Sequence, residues 1–484
     1  MAAPHRHRRM VVSAVASLLA AACSRGDQGP LRIDAVGAAP ERVNPNLRPL
    51  DPPRAFLLYA TAQGLVRFDA GGQVEPALAE SWIVSDDGLR YTFRLAPAPP
   101  GGQAVAAEQV VRRLRAALSR ASRNPLKPTL GLVERVEAMT GRVLEIRLVA
   151  PRPNFLQLLA QPEMAILIDG AGTGPYVARP ADGDRLLLAE PRVPDEEFEA
   201  ADRLLPPLLL RGTGAAAAVA RFAAGGSDLV TGGTAAELQL ARVARLPRGT
   251  LRYDPVSGHY GLEVMRADGL LGDAARRDAL SSVIDRAALT ETIGAPDPQP
   301  RASLLPAGIA DGPVPTAPAW ALLPIEERRA AARRVFAGYP GPRRLRIAVP
   351  ESYGSRLLIA HLRRDLGAIG VEIIAVKPGA AADLRLLDRA APAAIGAWYL
   401  RHFQCGRSAV CDPAADVALA AARFAPNAAE RRARLAEADR LLTAAVPFIP
   451  LAQPVRWSLV GGRATGWQPN AFGVRFPGSL VAQR

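Results

Sequence analysis

The chain contains few of the side chains that enzymes use for chemistry. Among its 484 residues are five histidines, and His259, His361 and His402, which lie beyond the N-terminal segment, are far apart in the sequence. There is no Gly-x-Ser-x-Gly nucleophile motif, no His-Glu-x-x-His zinc motif and no P-loop. Ser257-Gly258-His259 has no partner in the sequence that would complete a catalytic triad. We therefore predict that the protein is not an enzyme, since a secreted hydrolase would need a nucleophile and a base that are not apparent.

Cysteine is scarce as well, with three residues in all. His402 lies three residues before Cys405, but no fourth ligand or second pair follows at the spacing of a zinc site. The sequence therefore predicts no metal centre and no cofactor. Cys405 and Cys411 enclose a short loop, and in an oxidising compartment this spacing favours a local disulfide.

Lysine is nearly missing, because Lys127 and Lys377 are the only two in the chain. The net charge of +14 therefore comes almost wholly from arginine. The arginines are spread along the chain in short clusters, whereas a nucleic-acid-binding face concentrates its positive charge. We interpret the excess of arginine and alanine as a GC-rich coding background and predict no nucleic-acid partner.

Long apolar runs are absent beyond the N-terminus, so no later segment is predicted to span a bilayer. The N-terminus itself has a basic region with Arg6, Arg8 and Arg9, followed by the apolar segment Met10–Ala22 and then Cys23. This order is typical of a signal peptide, and a cysteine at this point is typical of lipoproteins. We therefore predict that Cys23 is the site of lipidation.

On this interpretation residues 1–23 form the signal peptide and residues 24–30 a tether outside the fold. Several acyl chains on Cys23 would hold the protein at a membrane, because a single chain binds only weakly. Ala20 stands where lipoproteins usually have leucine, so cleavage to a soluble periplasmic protein and retention as an uncleaved anchor stay open.

Strand-like and helical patterns alternate from residue 31 to the end, which predicts an α/β architecture. A chain of this length is too long for one core, so we expect two lobes. The patterns predict a strand at Leu31–Val36, an amphipathic helix at Ala106–Leu118, and helices at Arg276–Ile293 and Arg431–Ala445.

The most informative stretch runs from Gln73 to Arg94. Asp86-Asp87-Gly88 is typical of a turn, because glycine accepts a positive φ and aspartate caps its own backbone. After the turn, apolar and polar residues alternate with the period of a half-buried strand. The stretch therefore predicts a hairpin.

The same stretch resembles the signature of a known family. From Pro76 it reads Pro-Ala-Leu-Ala-Glu-Ser-Trp-x-x-Ser-x-Asp-Gly-x-x-Tyr-x-Phe, which is similar to family 5 extracellular solute-binding proteins, the receptors of dipeptide, oligopeptide and nickel ABC importers. Further segments resemble the family in the same order: Leu58–Asp69, Gly172–Tyr176, Arg221–Val230, Ala279–Arg286, Leu304–Pro306 and Pro447–Leu451. The resemblance runs from residue 31 to the C-terminus.

The resemblance implies a two-lobed, periplasmic-binding-protein-like fold of type II, with discontinuous lobes joined by a hinge. Lobe I would hold residues 31–255, with residues 450–484 returning to it, and lobe II residues 256–449. Two strands would cross between the lobes, near Tyr253–Val264 and Ile449–Val455. Ligand would close the lobes around itself by a hinge motion.

The resemblance also implies a function. The protein would be the substrate-binding receptor of an ABC importer in the periplasm, a monomer that captures a short peptide or peptide-like solute and passes it to permease subunits in the inner membrane. Two alternatives stay open. One is a ligand-free sensor or scaffold lipoprotein of the same fold, and the other is a binder of a non-peptide solute such as a metal chelate.

Peptide receptors of this family hold the ligand's ammonium group with an aspartate that follows an aromatic residue. The matching region here, Ala397–Cys405, has no acidic residue. Either Asp388 supplies the charge from nearby, or the ligand is not a free-amine peptide. Arg401 in this region would instead favour a carboxylate or a phosphate.

The ligand-binding residues are therefore predicted to be Asp388, Trp398 and Tyr260, lining the cleft together with Arg401 and Gln63. Gln63 stands where many relatives have glutamate. For each of these residues an ordinary core or surface role stays open as the alternative.

Overall fold

The computed structural model describes residues 29–97, 104–191, 205–296 and 299–482. The predicted signal peptide, including Cys23, and most of the tether lie outside this part of the chain. Within the described ranges, helices are too short or too polar to cross a membrane.

The strands and helices alternate along the whole described chain. The strands are β1 (Leu31–Val36), β2 (Val66–Phe68), β3 (Val74–Pro76), β4 (Ala79–Val84), β5 (Arg90–Leu95), β6 (Val133–Thr140), β7 (Val143–Leu148), β8 (Leu167–Ile168), β9 (Ala171–Gly172), β10 (Val177–Pro180), β11 (Arg185–Ala189), β12 (Leu208–Thr213), β13 (Leu229–Thr234), β14 (Leu251–Asp254), β15 (Gly258–Val264), β16 (Arg344–Ala348), β17 (Glu372–Val376), β18 (Leu384–Ala390), β19 (Phe448–Ala452) and β20 (Arg456–Val460). The helices are α1 (Pro52–Thr61), α2 (Ala107–Leu118), α3 (Lys127–Leu130), α4 (Phe155–Leu159), α5 (Ala215–Ala223), α6 (Leu238–Val243), α7 (Ala274–Ser282), α8 (Arg286–Ile293), α9 (Ile325–Ala337), α10 (Tyr353–Gly367), α11 (Gly396–Arg401), α12 (Pro413–Phe424) and α13 (Ala428–Ala445). Short 3-10 turns lie at Pro162–Met164, Gly269–Leu271 and Pro477–Leu480.

The first lobe is built on a seven-stranded sheet with the order β10-β11-β12-β1-β13-β20-β14. β1 lies in the middle, parallel to β12 and β13, and its side chains are buried or half-buried because helices cover both faces. Leu57 of α1 packs on one face, and Leu238 of α6 on the other.

A four-stranded antiparallel sheet, β4-β5-β7-β6, extends the first lobe. β4 and β5 form the predicted hairpin, and Gly88 at its turn has a φ of +67°. α2 packs Val110, Val111 and Leu114 into the core of this sheet. The hairpin and the amphipathic helix predicted from the sequence are therefore confirmed.

The second lobe is built on a five-stranded sheet with the order β17-β16-β18-β15-β19. One face packs against α7, α8 and α10, and the other against α11, α12 and α13. The single helix predicted at Arg276–Ile293 was wrong, because the chain breaks into α7 and α8. The break occurs where the Asp285 side chain accepts a hydrogen bond from Ala288 N and so starts a new helix.

Two segments connect the lobes. The chain leaves the first sheet after Asp254 and enters the second at Gly258, and it returns between Ala452 and Arg456. We call residues 255–257 and 453–455 the hinge. The lobe boundaries that the resemblance implies, at residues 255/256 and 449/450, stay predictions. β19 continues to Ala452, so that residues 450–452 lie in the second sheet.

Candidate functional site

An ion pair joins the two sheets beside the hinge. Arg456 at the start of β20 donates from Nη1 to Asp388 Oδ1 on β18 at 2.7 Å. The two side chains are 20% and 18% exposed. The carboxylate proposed to receive a ligand's ammonium group is thus already paired with a cation of the other lobe.

Tyr260 lies directly opposite Asp388 in the β15–β18 pairing. Its side chain is buried in the core that contains Leu262 and Val264. Burial raises the pKa of the Tyr260 hydroxyl, and the neighbouring Asp388 charge raises it further. Tyr260 is therefore a neutral core side chain next to the ion pair.

Trp398 lies on the other face of the same sheet. It stacks on His259, with ring centroids 5.1 Å apart, and the Arg389 guanidinium carbon lies 5.9 Å from its ring. His259 precedes Tyr260 on β15, and successive side chains on a strand point to opposite faces. The structure thus brings Tyr260 and Asp388 together and separates them from Trp398.

His259 is buried within this aromatic group, next to Tyr399. Its Nε2 is 3.2 Å from the Tyr399 carbonyl oxygen, so this nitrogen carries the proton and donates. Burial, followed by the nearby charge of Arg301, lowers the pKa of His259 well below its usual value. The ring is therefore neutral at physiological pH.

Arg401 at the end of α11 reaches across to the first lobe, where Nη1 donates to the Pro128 carbonyl at 3.0 Å. Burial, followed by the charges of Arg152 and Arg423, lowers the pKa of the Arg401 guanidinium to about 10. It is the predicted site residue with the most positive surroundings.

Gln63 follows the end of α1 and is half-buried, not on a helix surface. Its N–H donates to Thr173 Oγ1 at 3.2 Å, and its carbonyl accepts from Ile166 N at 2.7 Å. These backbone hydrogen bonds hold the connection between α1 and β2 in place.

Polar contacts between the lobes involve residues that the sequence did not single out. Gln161 Nε2 donates to Pro392 O at 2.6 Å, and Asn154 Nδ2 to Ala394 O at 2.7 Å. A third contact runs from Gln239 Nε2 of α6 to Ile293 O of α8 at 2.9 Å. The lobes are therefore in contact through α6 as well as through the segment that contains Asn154 and Gln161. A side-chain amide aimed at a distant carbonyl leaves no sequence signal.

Opposite charges also face each other across the interlobe space. Burial raises the pKa of the Glu163 carboxyl in the first lobe, and the positive charge of Arg389 in the second lobe acts in the opposite direction. Burial lowers the pKa of the Arg389 guanidinium, and the charges of Glu163 and Glu263 oppose that shift. Glu163 and Arg389 therefore influence each other's ionisation, and Arg389 lies beside Trp398.

A cavity of about 420 Å³ lies at the hinge. It is lined by both crossings, including Val256 and Pro454, and by Thr290 and Ile293 of α8. Because its walls come from both lobes, its volume must change when the hinge moves. Within the described ranges, no group of three or more His, Cys, Asp or Glu side chains is arranged to hold a metal ion.

Cys405 and Cys411 form a disulfide in the structure, with their Cα atoms 5.1 Å apart. Closing a loop this short is worth about 2 kcal/mol by chain entropy. We expect Cys405→Ser/Cys411→Ser to lower the free energy of unfolding by about that amount, measured by urea denaturation. Labelling of both thiols in the denatured, unreduced wild-type protein would contradict the pairing.

Comparison with known proteins gives one family match. Residues 73–404 match the bacterial extracellular solute-binding proteins, family 5 Middle. The nickel-binding periplasmic protein of Escherichia coli (strain K12) is 32% identical over 122 residues, which is 25% of this chain and 23% of that protein. The probable deoxycholate-binding periplasmic protein YgiS of the same strain is 31% identical over 121 residues, 21% of this chain and 23% of that protein. Each match thus spans less than a quarter of the relative.

Solved structures match over nearly the full length. OppA of Haemophilus influenzae in complex with RPPGFSPFR has a TM-score of 0.78 at 18% identity, covering 93% of this chain and 98% of that one. OppA of Burkholderia pseudomallei has a TM-score of 0.79 at 20% identity, covering 94% and 99%. NikZ from Campylobacter jejuni in complex with Ni(L-His) has a TM-score of 0.73 at 19% identity, covering 92% and 97%. These likenesses show the same two-lobed α/β fold.

Proposed function

We infer, from the premise that this chain belongs to the bacterial extracellular solute-binding proteins of family 5, that it is the substrate-binding receptor of an ABC importer. In this role it captures a short peptide or peptide-like solute between its lobes, as a monomer in the periplasm, and delivers it to permease subunits. A lipid on Cys23 would keep it at the membrane. The protein itself performs no reaction.

The observation that supports this function best is the arrangement of the two lobes. Two short hinge segments connect the two lobes. The lobes also form hydrogen bonds with each other through Gln161, Asn154 and Gln239, and these bonds would break if the lobes opened. A solute held between the lobes adds contacts to the closed form alone, which couples binding to the change of shape. OppA of Haemophilus influenzae in complex with RPPGFSPFR and DppA from Helicobacter pylori in complex with peptide STSA share this fold.

Nickel or a nickel chelate has less support from the site itself. The NikZ structure was solved with Ni(L-His), and the nickel-binding relative matches over a limited segment. In this chain, however, His259 is buried with Nε2 bound to a carbonyl, and His402 Nε2 lies 3.1 Å from Glu263 Oε1. One ring nitrogen of each imidazole is thus engaged within the protein, and the other nitrogen of His259 is buried.

The function is tested by a thermal-shift screen of the mature protein against di-, tri- and oligopeptides, their N-acetylated forms and divalent metals. A bound solute at a hundredfold excess over its dissociation constant should stabilise by about 3 kcal/mol, which raises the melting temperature by a few degrees. A shift with peptides supports peptide import. If neither peptides nor metals change the melting temperature, the ligand-free sensor becomes the better assignment.

A further inference from the structure

Four buried or half-buried arginine side chains, Arg152, Arg401, Arg423 and Arg431, lie where the first lobe contacts helices α11, α12 and α13, and the charge of the exposed Arg407 acts on Arg401. We call Arg152, Arg401, Arg407, Arg423 and Arg431 the arginine cluster. Arg152 belongs to the first lobe and the other four to the second, so the cluster is complete only when the lobes touch. Arg407 lies inside the loop that the Cys405–Cys411 disulfide closes.

The guanidinium groups of the cluster donate their hydrogen bonds to main-chain carbonyls, which carry no full charge. They run from Arg152 Nη2 to Ala422 O (3.3 Å) and Arg423 O (3.2 Å), from Arg401 Nη1 to Pro128 O (3.0 Å), and from Arg431 Nη1 to Pro151 O (3.4 Å). Arg423 also approaches the same turn as Arg401, since a Cβ built on Gly131 would lie 3.5 Å from Arg423 Nη2.

The positive charge of the cluster is poorly compensated. Asp311 is the carboxylate that acts on Arg152 and Arg401, with Oδ2 3.9 Å from Arg431 Nε and Oδ1 accepting from Gly396 N at 2.7 Å. Near Arg407, Asp416 Oδ2 accepts from Cys405 N at 3.1 Å. Arg152 and Arg431 are only 5% and 3% exposed. Among the described residues, Arg431 Nε and Arg423 Nε are buried without a hydrogen-bond partner.

The pKa of Arg152 shows the same imbalance as that of Arg401. Burial, followed by the charge of Arg431, lowers the pKa of the Arg152 guanidinium to about 10, and Asp311 opposes this shift. A guanidinium in such surroundings gains most from an anion, because the anion supplies both the missing charge and acceptors for the free N–H groups.

We propose that the arginine cluster is a subsite for an anionic group of the solute, a carboxylate or a phosphate. The proposal rests on the proposed receptor function and narrows its substrate class to acidic, peptide-like solutes. An anion bound to Arg401 and Arg423 would meet Arg152 as the lobes close, so that closure is favoured when the anion is present. The region Ala397–Cys405, which in relatives binds the positively charged ammonium group of a peptide, would then bind a negatively charged group.

The test uses the full mature protein with sodium phosphate and sodium succinate as probes, and sodium chloride at matched ionic strength as the reference. Melting temperature and calorimetric titration are measured for the wild type, Arg401→Gln and Arg407→Gln. Arg432→Gln is the control, because Arg432 is an exposed neighbour of Arg431 on the same helix. We include Arg407→Gln because the Arg407 side chain is exposed, so its loss should leave the fold intact.

We expect phosphate or succinate to bind the wild type and Arg432→Gln alike, and to bind Arg401→Gln and Arg407→Gln at least fivefold more weakly. The probe that binds tells whether the subsite takes phosphate or carboxylate. Equal anion binding by all four proteins, or none beyond that of chloride, overturns the subsite.

The peptide screen separates the two proposals. Peptides that bind wild type and Arg401→Gln equally would leave the receptor function in place without this subsite, and a protein that binds neither peptides nor anions would lose both.

Discussion

Asp365→Asn is expected to lower the free energy of unfolding by about 3–5 kcal/mol, the range found when one partner of a buried ion pair is removed. The Asp365 side chain on α10 is 0% exposed. Its carboxylate accepts from Asp285 N at 2.8 Å and from Arg364 Nε at 2.9 Å, lies 3.0 Å from His361 Nε2 and 3.6 Å from Arg329 Nη2. One charge therefore ties α10 to the start of α8 and to α9.

The same substitution should change how stability depends on pH. Burial raises the pKa of Asp365, but the hydrogen bonds from His361 and Arg364 outweigh it and lower the pKa from 3.8 to about 2. A group with a lowered folded-state pKa stabilises the fold above its unfolded pKa, and this contribution is lost as the pH falls from about 4 to 2. The wild type should lose about 2 kcal/mol in this window through Asp365, and the Asn variant should not.

Urea denaturation at pH 7 and between pH 4 and 2 measures both effects. Asp268→Asn is the matched control, because Asp268 is 64% exposed and pairs with Arg266 at the surface. A surface pair of this kind contributes little to stability, because water and salt screen its charges. If Asp365→Asn and Asp268→Asn shift the urea midpoint equally, the buried network does not stabilise the second lobe as argued.

The fold was predictable because its evidence is local. The Pro76–Phe93 stretch combines a turn, a strand period and a family signature within a few residues, and the structure confirms the hairpin. The crossings near Tyr253–Val264 and Ile449–Val455 were predicted from the family resemblance alone, and the bounds of the two lobes stay a prediction. The α7–α8 break was missed because Asp285 was taken as part of a continuous helical period.

The candidate site was harder to predict because its contacts join residues far apart in the sequence. Tyr260, Asp388 and Trp398 were proposed to line one cleft, yet β15 separates them, since His259 and Tyr260 face opposite sides of the sheet. The partner of Asp388 is Arg456, 68 positions away. The alternation of side chains along a strand could have predicted that adjacent residues of β15 face opposite sides of the sheet. No local sequence pattern identifies Arg456 as the partner of Asp388.

The arginine cluster shows the same limit. Arg401 was singled out because the family position lacks its acid, and its role in ligand binding stays a prediction. The arginines that surround Arg401 could not be predicted, because Arg152 and Arg423 come from segments that meet only in the folded protein. Net charge alone suggested a coding bias, whereas folding concentrates part of that charge at one interlobe contact.

Closure itself should depend on a glycine in the first turn of α10. Gly354 N–H donates to the Ala236 carbonyl across the lobes at 3.0 Å. A Cβ built on Gly354 would lie 2.4 Å from Ala235 O and 2.8 Å from Ala236 O, both backbone atoms that cannot simply rotate away. The second lobe alone has no such conflict, and alanine favours the helix by roughly 0.5–1 kcal/mol. The substitution therefore penalises only the form in which the lobes touch.

We expect Gly354→Ala to weaken binding of a transported solute by about 5- to 150-fold, which corresponds to an overpacking cost of about 1–3 kcal/mol. Gly354→Val should weaken it more. Calorimetric titration with a peptide from the thermal-shift screen measures the affinity, and small-angle scattering of the solute-free protein reports whether the lobes have moved apart.

Gly367→Ala is the control at the other end of the same helix, because a Cβ built there meets nothing within 4 Å. It should leave affinity and scattering unchanged. Gly354→Ala acts on closure rather than on folding, so its melting temperature without solute should stay near that of the wild type while the stabilisation by solute shrinks. Wild-type affinity in Gly354→Ala would mean that the solute-bound form keeps α10 away from Ala236, and that the lobes close on the solute at a wider angle than the structure shows.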